Sequence, residues 1–589
     1  MTPQPRSARV GALALATMLL LAACAPAAPS APTAAPAAPK PTEAAKPAAP
    51  AATTAPAAPT VPAATGIPAA KPAAPAATAA PAAKPSVRSL RIAIATDEGT
   101  LNPYTYKTGY PGWNMLNLVW DSLMQLDAQN VPQPLLAASV KTTDAMTYDI
   151  TMRPGIKWHD GKPLTSEDVK FTYEYFIKIT HSRFSSPLRA IDTITTDGPE
   201  RLTIKLKAPN PSFPVRALAD APIIPRQEWD NVPLERTKEI PAKIGSGPYK
   251  LIEATDTAYR LEANPDYFLG APPVGELLFP VIKDLNTALQ ALRTGEVQAV
   301  ARELPPEQVQ PFSQAPLKVS KGPGFASTLL QFNLERAPFD KTEVRQAIDL
   351  AIDKKKLVDT ILLGNGTVAT PGFVHPDSPN HDPSVQARFD VAKAKQLLDQ
   401  AGAVPGPDGI RVLNGKPMAF TVLAQSEQPL RIRAAELIIG MLKEVGIQTT
   451  VKVLDNNAVI DLVWKDFDVT KPRDYELAMF GWSAPVQVDP ARVVDFAHSD
   501  PTIGTGNIGA YKNPEADKIG DQVRAAVDPA QRKQLIGQYE RILATDVPFV
   551  MLYFQDLAYA YRADAYDGWL FQKGQGIITK LSFLPGFGR

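Results

Sequence analysis

The sequence predicts an α/β protein with at least one parallel sheet, and three observations carry that expectation. Short strand-like runs alternate with helical ones from Val87 to Arg589. One stretch reads as strand, helix, strand in direct succession: 419–423, then 432–445 closed by Gly446, then 449–453. Two strands joined through a helix run parallel. The body, about 500 residues long, exceeds one ordinary domain, so its elements should divide between more than one core.

Ahead of the body, residues 1–23 have the parts of a secretory signal peptide. Arg6 and Arg9 give a positive start, and 11–21 is an apolar run. The run is too short to span a bilayer, which takes about 20 apolar residues. Leu21-Ala22-Ala23-Cys24 follows and resembles a bacterial lipobox; Cys24 is the single cysteine of the chain. In that pattern the thiol receives a lipid and cleavage makes Cys24 the new N-terminus. Residues 24–85 are nearly all Ala and Pro. Proline removes backbone donors and alanine offers little to bury, so this segment is expected to be a disordered tether. Fully extended at ~3.1 Å per residue it would reach ~190 Å. Lys and Arg number 61 against 60 Asp and Glu, a net charge of +1, with no basic excess to favour nucleic acid.

Within the body, 89–95 reads as a strand and 166–178 as a helix. Thr165 and Ser166 are candidate N-caps, and Glu167 and Asp168 fall in the dipole-favoured first turn. Residues 340–363 carry a longer helical pattern with Val344, Ile348, Ala351 and Ile352 on one face. Residues 475–480 form a strand leading to Trp482. Pro154-Gly155 and Asp160-Gly161 are turn dipeptides, so Trp158 and His159 between them read as scaffold. Gly245-Ser246-Gly247-Pro248 is a tight turn whose glycines are expected to supply positive φ.

Gly364-Asn365-Gly366-Thr367-Val368-Ala369 matches a dinucleotide fingerprint by letters, but it follows a helix and precedes Pro371. His375 and His381 lie six apart in a Pro-rich stretch, poor metal spacing, and read as a solvated loop. Neither a zinc-protease motif nor a nucleophile elbow occurs. The chain is therefore expected to be no enzyme, with no cofactor and no metal.

A series of motifs in fixed order resembles the family of peptide-, nickel- and opine-binding proteins that serve ATP-driven importers. It begins with Leu101-Asn102-Pro103-Tyr104 and Pro134 to Ser139. Its strongest part runs from Tyr148 to Phe171, with Trp158-His159-Asp160-Gly161 and Leu164-Thr165-Ser166-Glu167-Asp168-Val169. Gly245 to Lys250, Asn264-Pro265-Asp266-Tyr267-Phe268, Gly295-Glu296-Val297, Phe332-Asn333, Pro338-Phe339-Asp340 and Val344-Arg345-Gln346-Ala347 continue it. Gly481-Trp482, Asp489-Pro490 and Tyr511 with Asn513-Pro514 close it. The resemblance implies a two-lobed periplasmic-binding-protein-like fold of the class II, cluster C type, with a hinge and an interlobe ligand cleft. It places the first lobe at 86–316 plus 553–589 and the second at 317–552. It also implies a monomer that hands a small solute, chiefly an oligopeptide, to permease and ATPase subunits.

Candidate cleft residues are mostly aromatic. Trp482 stands where the chain leaves a strand, and open α/β sheets bind ligands beyond strand ends; the resemblance gives it a pocket role. Tyr106, Tyr110 and Trp113 cluster in a loop after the first strand, and Phe325 lies near the lobe crossover. The family's peptide binders usually carry an aspartate three residues after this tryptophan, whereas Pro485 stands there. Asp489 is then either a cap residue or a ligand contact. The ligand is an oligopeptide or, alternatively, an oligosaccharide, opine or metal chelate, and a transporter-independent sensor is a further reading. Gln298 replaces a common aspartate and is expected to act locally.

Overall fold

The computed structural model describes residues 86–99, 101–103, 111–179, 183–230, 232, 243–484, 488–584 and 586. The signal segment, Cys24, the 24–85 segment, Tyr106, Tyr110 and Pro485 lie outside the described residues.

Two large sheets organise the body. The six-stranded one has the order Gly366–Val368, Phe549–Gln555, Ser327–Phe332, Leu477–Phe480, Ala419–Gln425, Gln448–Leu454. Its last two strands are parallel in register, Ala419 against Gln448 through Gln425 against Leu454, and the helix Pro429–Glu444 joins them. This is the βαβ unit anticipated from periodicity, and Gly446 at φ 86° ends it. The central strand Ser327–Phe332 is buried at every position, because the sheet has a core on each face. Leu330, Phe332, Met479, Val550 and Leu552 point into one core with Ala434, Ile438 and Leu442 of the joining helix. Leu329, Ala478, Phe480, Met551 and Phe554 point into the other, with Val523, Ile536 and Tyr539. Alternation of side chains along a strand puts neighbours on opposite faces, so a doubly covered strand must be apolar throughout.

The seven-stranded sheet has the order Leu317–Gly322, Leu557–Arg562, Ala299–Val300, Leu90–Ala93, Glu276–Pro280, Ala258–Ala263, Tyr249–Ala254. Leu90 and Ile92 face one core while Ala93, Ala558 and Ala560 face another under the helix Leu285–Thr294. A separate four-stranded antiparallel sheet, Ala137–Lys141, Thr147–Met152, Arg201–Leu206, Ile191–Thr196, belongs to the same half of the body.

Leu317–Gly322 pairs with Leu557–Arg562 in the seven-stranded sheet, so the chain leaves that sheet after Gly322. Tyr553 and Phe554 pair within the six-stranded sheet, so the chain passes back at Asp556. At Gly324 a Cβ would collide with the Gln555 carbonyl and Leu557. The two crossings therefore lie side by side, and only glycine lets them.

Three local expectations are revised. The 340–363 pattern is two helices, Thr342–Ala351 and Lys354–Ile361, split where Asp353 caps the second by accepting from the Lys356 amide at 2.9 Å. Gly366–Val368 is the edge strand of the six-stranded sheet. Gly245 and Gly247 do not have positive φ; a Cβ on either would strike the backbone at Leu118 and Val119, so they permit close approach of two chain segments. Nor is the 375–381 stretch solvated: His375 is buried between Phe325 and Phe554, with ring centroids at 4.8 and 4.4 Å, and His381 Nδ1 meets the buried Glu540 carboxylate at 3.0 Å. Trp158 is buried as scaffold. At the start of the helix Asp168 Oδ2 accepts from the Thr165 amide at 2.9 Å and from its hydroxyl at 3.3 Å. Gln298 acts locally, accepting from the Arg91 amide at 2.8 Å and donating to the Gly295 carbonyl at 3.0 Å.

Candidate functional site: a cleft between the lobes

Two neighbouring cavities open where the lobes face each other. The first, about 360 Å³, is bordered from the first lobe by Trp113, Arg183, Arg216 and Asp220 and by Gln572 and Gln575 of the C-terminal segment. From the second lobe come Val488, Asp489 and Arg492. The second, about 460 Å³, adds Asn210 and Ser212 of the first lobe and Asp495, Arg524 and Arg532 of the second. Arg216, Asp489 and Arg492 border both. Volumes of this size match small-solute sites.

Local structure positions each group. Trp113 sits near the start of the helix Gly112–Val119, buried, with its ring 5.6 Å from that of Phe184. The Arg183 guanidinium lies over the indole at 3.9 Å and grips Asp220 with two hydrogen bonds of 2.9 and 2.7 Å. Stacking plus a fork-like pair fixes this arginine. Asp489 is 5% exposed and caps the short helix Pro490–Phe496, accepting from the Ala491 amide at 3.3 Å. Its Oδ1 also accepts from Arg532 at 3.2 Å. The same Arg532 nitrogen reaches across the cleft to Ser212 Oγ at 2.6 Å. This contact joins residues 320 apart in sequence and ties lobe to lobe. Arg492 donates to Asp495 at 3.1 Å. Burial pushes the Asp495 carboxyl up, against the opposing pull of Arg492 and Arg216.

Trp113 and Asp489 therefore meet at the first cavity. Trp482 and Phe325 are not among the residues bordering either one. The Trp482 ring is half-buried on Phe496, Phe480 and Trp464, at 4.2, 5.3 and 5.5 Å. Its backbone pairs with Ser327, its amide donating to Oγ at 3.0 Å and its carbonyl accepting from the amide at 2.9 Å. Phe325 is buried in the crossing segment against His375 and beside Gly574. Sequence reasoning missed Arg183, Arg216, Asp220, Arg492, Ser212 and Arg532, because a charged residue carries no local mark that it faces a cleft. Among the described residues no cluster of three or more His, Cys, Asp or Glu has metal-binding geometry. No described helix is long and apolar enough to cross a membrane.

Residues 131–503 match the profile of the bacterial extracellular solute-binding proteins, family 5. The oligopeptide-binding protein AppA of Bacillus subtilis is 29% identical over 478 residues, covering 78% of this chain and 84% of that protein. The solved structure of AppA in complex with a nonapeptide aligns with a TM-score of 0.65 at 26% identity, over 85% of this chain and 99% of that one. NikZ from Campylobacter jejuni in complex with Ni(L-His) aligns with a TM-score of 0.65 at 25% identity, over 81% of this chain and 94% of that one.

Proposed function

This chain belongs to the bacterial extracellular solute-binding proteins of family 5, and on that footing we propose that it captures an oligopeptide between its lobes and delivers it to an ATP-driven importer. The observation that carries the reading is a cleft bordered from both lobes and bridged by Arg532 and Ser212. A ligand lodged there would touch both lobes at once and so favour the closed arrangement over the open one, which is the condition for ligand-driven closure. The paired side chains of the cleft are already hydrogen-bonded to one another, so the site holds and orients without a nucleophile–base arrangement. The role is capture and not turnover.

Peptide is favoured as the cargo by the AppA likeness, in sequence and in fold. A metal chelate is the second reading, supported by the likeness to the NikZ complex with Ni(L-His) and by Pro485, which supplies no charge for a peptide ammonium. Mass spectrometry of ligand released from the denatured full chain discriminates the two. Peptides are expected; a chelate or sugar in their place would overturn the peptide reading. Delivery is from the outer face of the cell membrane, with the body held there by a lipid on Cys24. Cys24→Ser should release the protein from the membrane fraction, and a variant that stayed there would contradict the anchor.

A further inference from the structure

The charges around the cleft do not balance. The first cavity has three arginines, Arg183, Arg216 and Arg492, against two aspartates, Asp220 and Asp489. The second has five cations against three aspartates. Most of these groups are matched. Arg183 holds Asp220, Arg532 holds Asp489, and Arg492 holds Asp495. Arg216 and Arg524 are both exposed and, among the described residues, neither guanidinium makes a hydrogen bond or ion pair; of the two, Arg216 borders both cavities. The nearby carboxylate of Asp495 is engaged by Arg492.

The backbone that carries Arg216 is nonetheless fixed. It lies in the wide single turn Pro214–Leu218, a rare form that recurs at functional sites. Buried Phe213, Ala217 and Leu218 hold the turn in the core, and the Arg216 amide donates to the Ser212 carbonyl at 2.9 Å. A planar guanidinium presents paired donors that fit a carboxylate and cannot be neutralised by losing a proton. When a ligand fills the cleft and excludes water, an unmatched cation there costs free energy unless the ligand supplies the anion.

We propose that Arg216 is a carboxylate receptor, so that the preferred peptide places either its C-terminal carboxylate or an acidic side chain at the waist of the cleft. The inference rests on the peptide reading above. It adds a requirement on the cargo: a negative charge part-way along the cleft, with room on both sides.

The test is a calorimetric titration of the full chain with three pentapeptide mixtures. One is built from uncharged residues with a free C-terminal carboxylate. The second is the same mixture amidated at the C-terminus. The third is amidated and carries one aspartate per peptide. The free acid or the aspartate mixture should bind about tenfold or more tighter than the neutral amide, as expected for a hydrogen bond to a charged partner. Whichever wins identifies the source of the carboxylate. Arg216→Gln should abolish that preference while leaving the melting temperature unchanged. Equal affinity of the wild type for all three mixtures overturns the carboxylate inference alone. A preference that survives in Arg216→Gln also overturns it. Failure of all three mixtures to bind the wild type overturns the peptide reading and this inference with it.

Discussion

The contact that most tightly couples structure to function is the bridge from Arg532 to Ser212, and Ser212→Ala removes it. The bond is 2.6 Å long, its donor is a guanidinium, and the two side chains belong to opposite lobes. Ser212 is 9% exposed, so in this arrangement the hydroxyl has little competing water. A hydrogen bond to a charged group contributes about 1.5–3 kcal/mol. Arg532 keeps its second partner, Asp489 at 3.2 Å, so its charge stays compensated in the variant and the lower half of that range applies, ~1.5–2 kcal/mol. On opening, both groups exchange each other for water, so the loss falls on the closed form only. Ligand affinity is linked to closure and should weaken by roughly 10- to 30-fold. The weakening should appear as faster dissociation, since the bond forms after the ligand has entered. Titration calorimetry gives the first quantity and stopped-flow release the second. Ser212→Thr keeps a hydroxyl at the same place and should recover most of the affinity. If Ser212→Ala leaves affinity and release rate unchanged in a folded protein, the bridge does not contribute to closure.

Three further outcomes follow from the packing. Gly245→Ala drives a methyl into the Val119 carbonyl and should cost about 1–3 kcal/mol of stability, read as a lower melting temperature, although its φ is ordinary; an unchanged melting temperature would mean that the two segments separate freely. Burial holds the His375 imidazole down to about 3 from 6.5, and Lys573 and His381 press it the same way. Between those values the unfolded chain binds a proton that the folded chain does not, so stability should fall as pH drops from about 6.5 towards 3, by up to ~1.4 kcal/mol per pH unit. His375→Phe should flatten that part of the profile, and an identical slope in the variant would assign it to other groups. Trp482→Ala should lower stability by about 3 kcal/mol through lost packing on Phe496, Phe480 and Trp464; an additional loss of peptide affinity would give the ring a ligand role, and unchanged affinity would confine it to the scaffold.

What could be read from the sequence was what local order encodes. The parallel pair around Pro429–Glu444 followed from periodicity and a terminal glycine. Gly245 and Gly247 were legible as a tight place but not for their cause, since the segment they approach lies more than a hundred residues away. His375 sits among prolines that suggest solvent, yet Phe325 and Phe554 come from the two lobe crossings to enclose it. The single helical stripe over 340–363 persists across two helices because both bury the same face, and only the Asp353 cap marks the break. The cleft was the least legible part. Its charges are supplied by segments around residues 183, 216, 492 and 532, and each resembles any other surface arginine until the fold brings them together.

An oligopeptide in the cleft should draw the two lobes together. The direct measurement is the distance between spin labels at Lys205→Cys in the four-stranded sheet and Lys416→Cys in the second lobe, both exposed positions. It is made in a Cys24→Ser full chain with and without the acidic pentapeptide mixture. Peptide should shift a broad distribution to one narrow distance. Superimposable distributions at saturating peptide would contradict it.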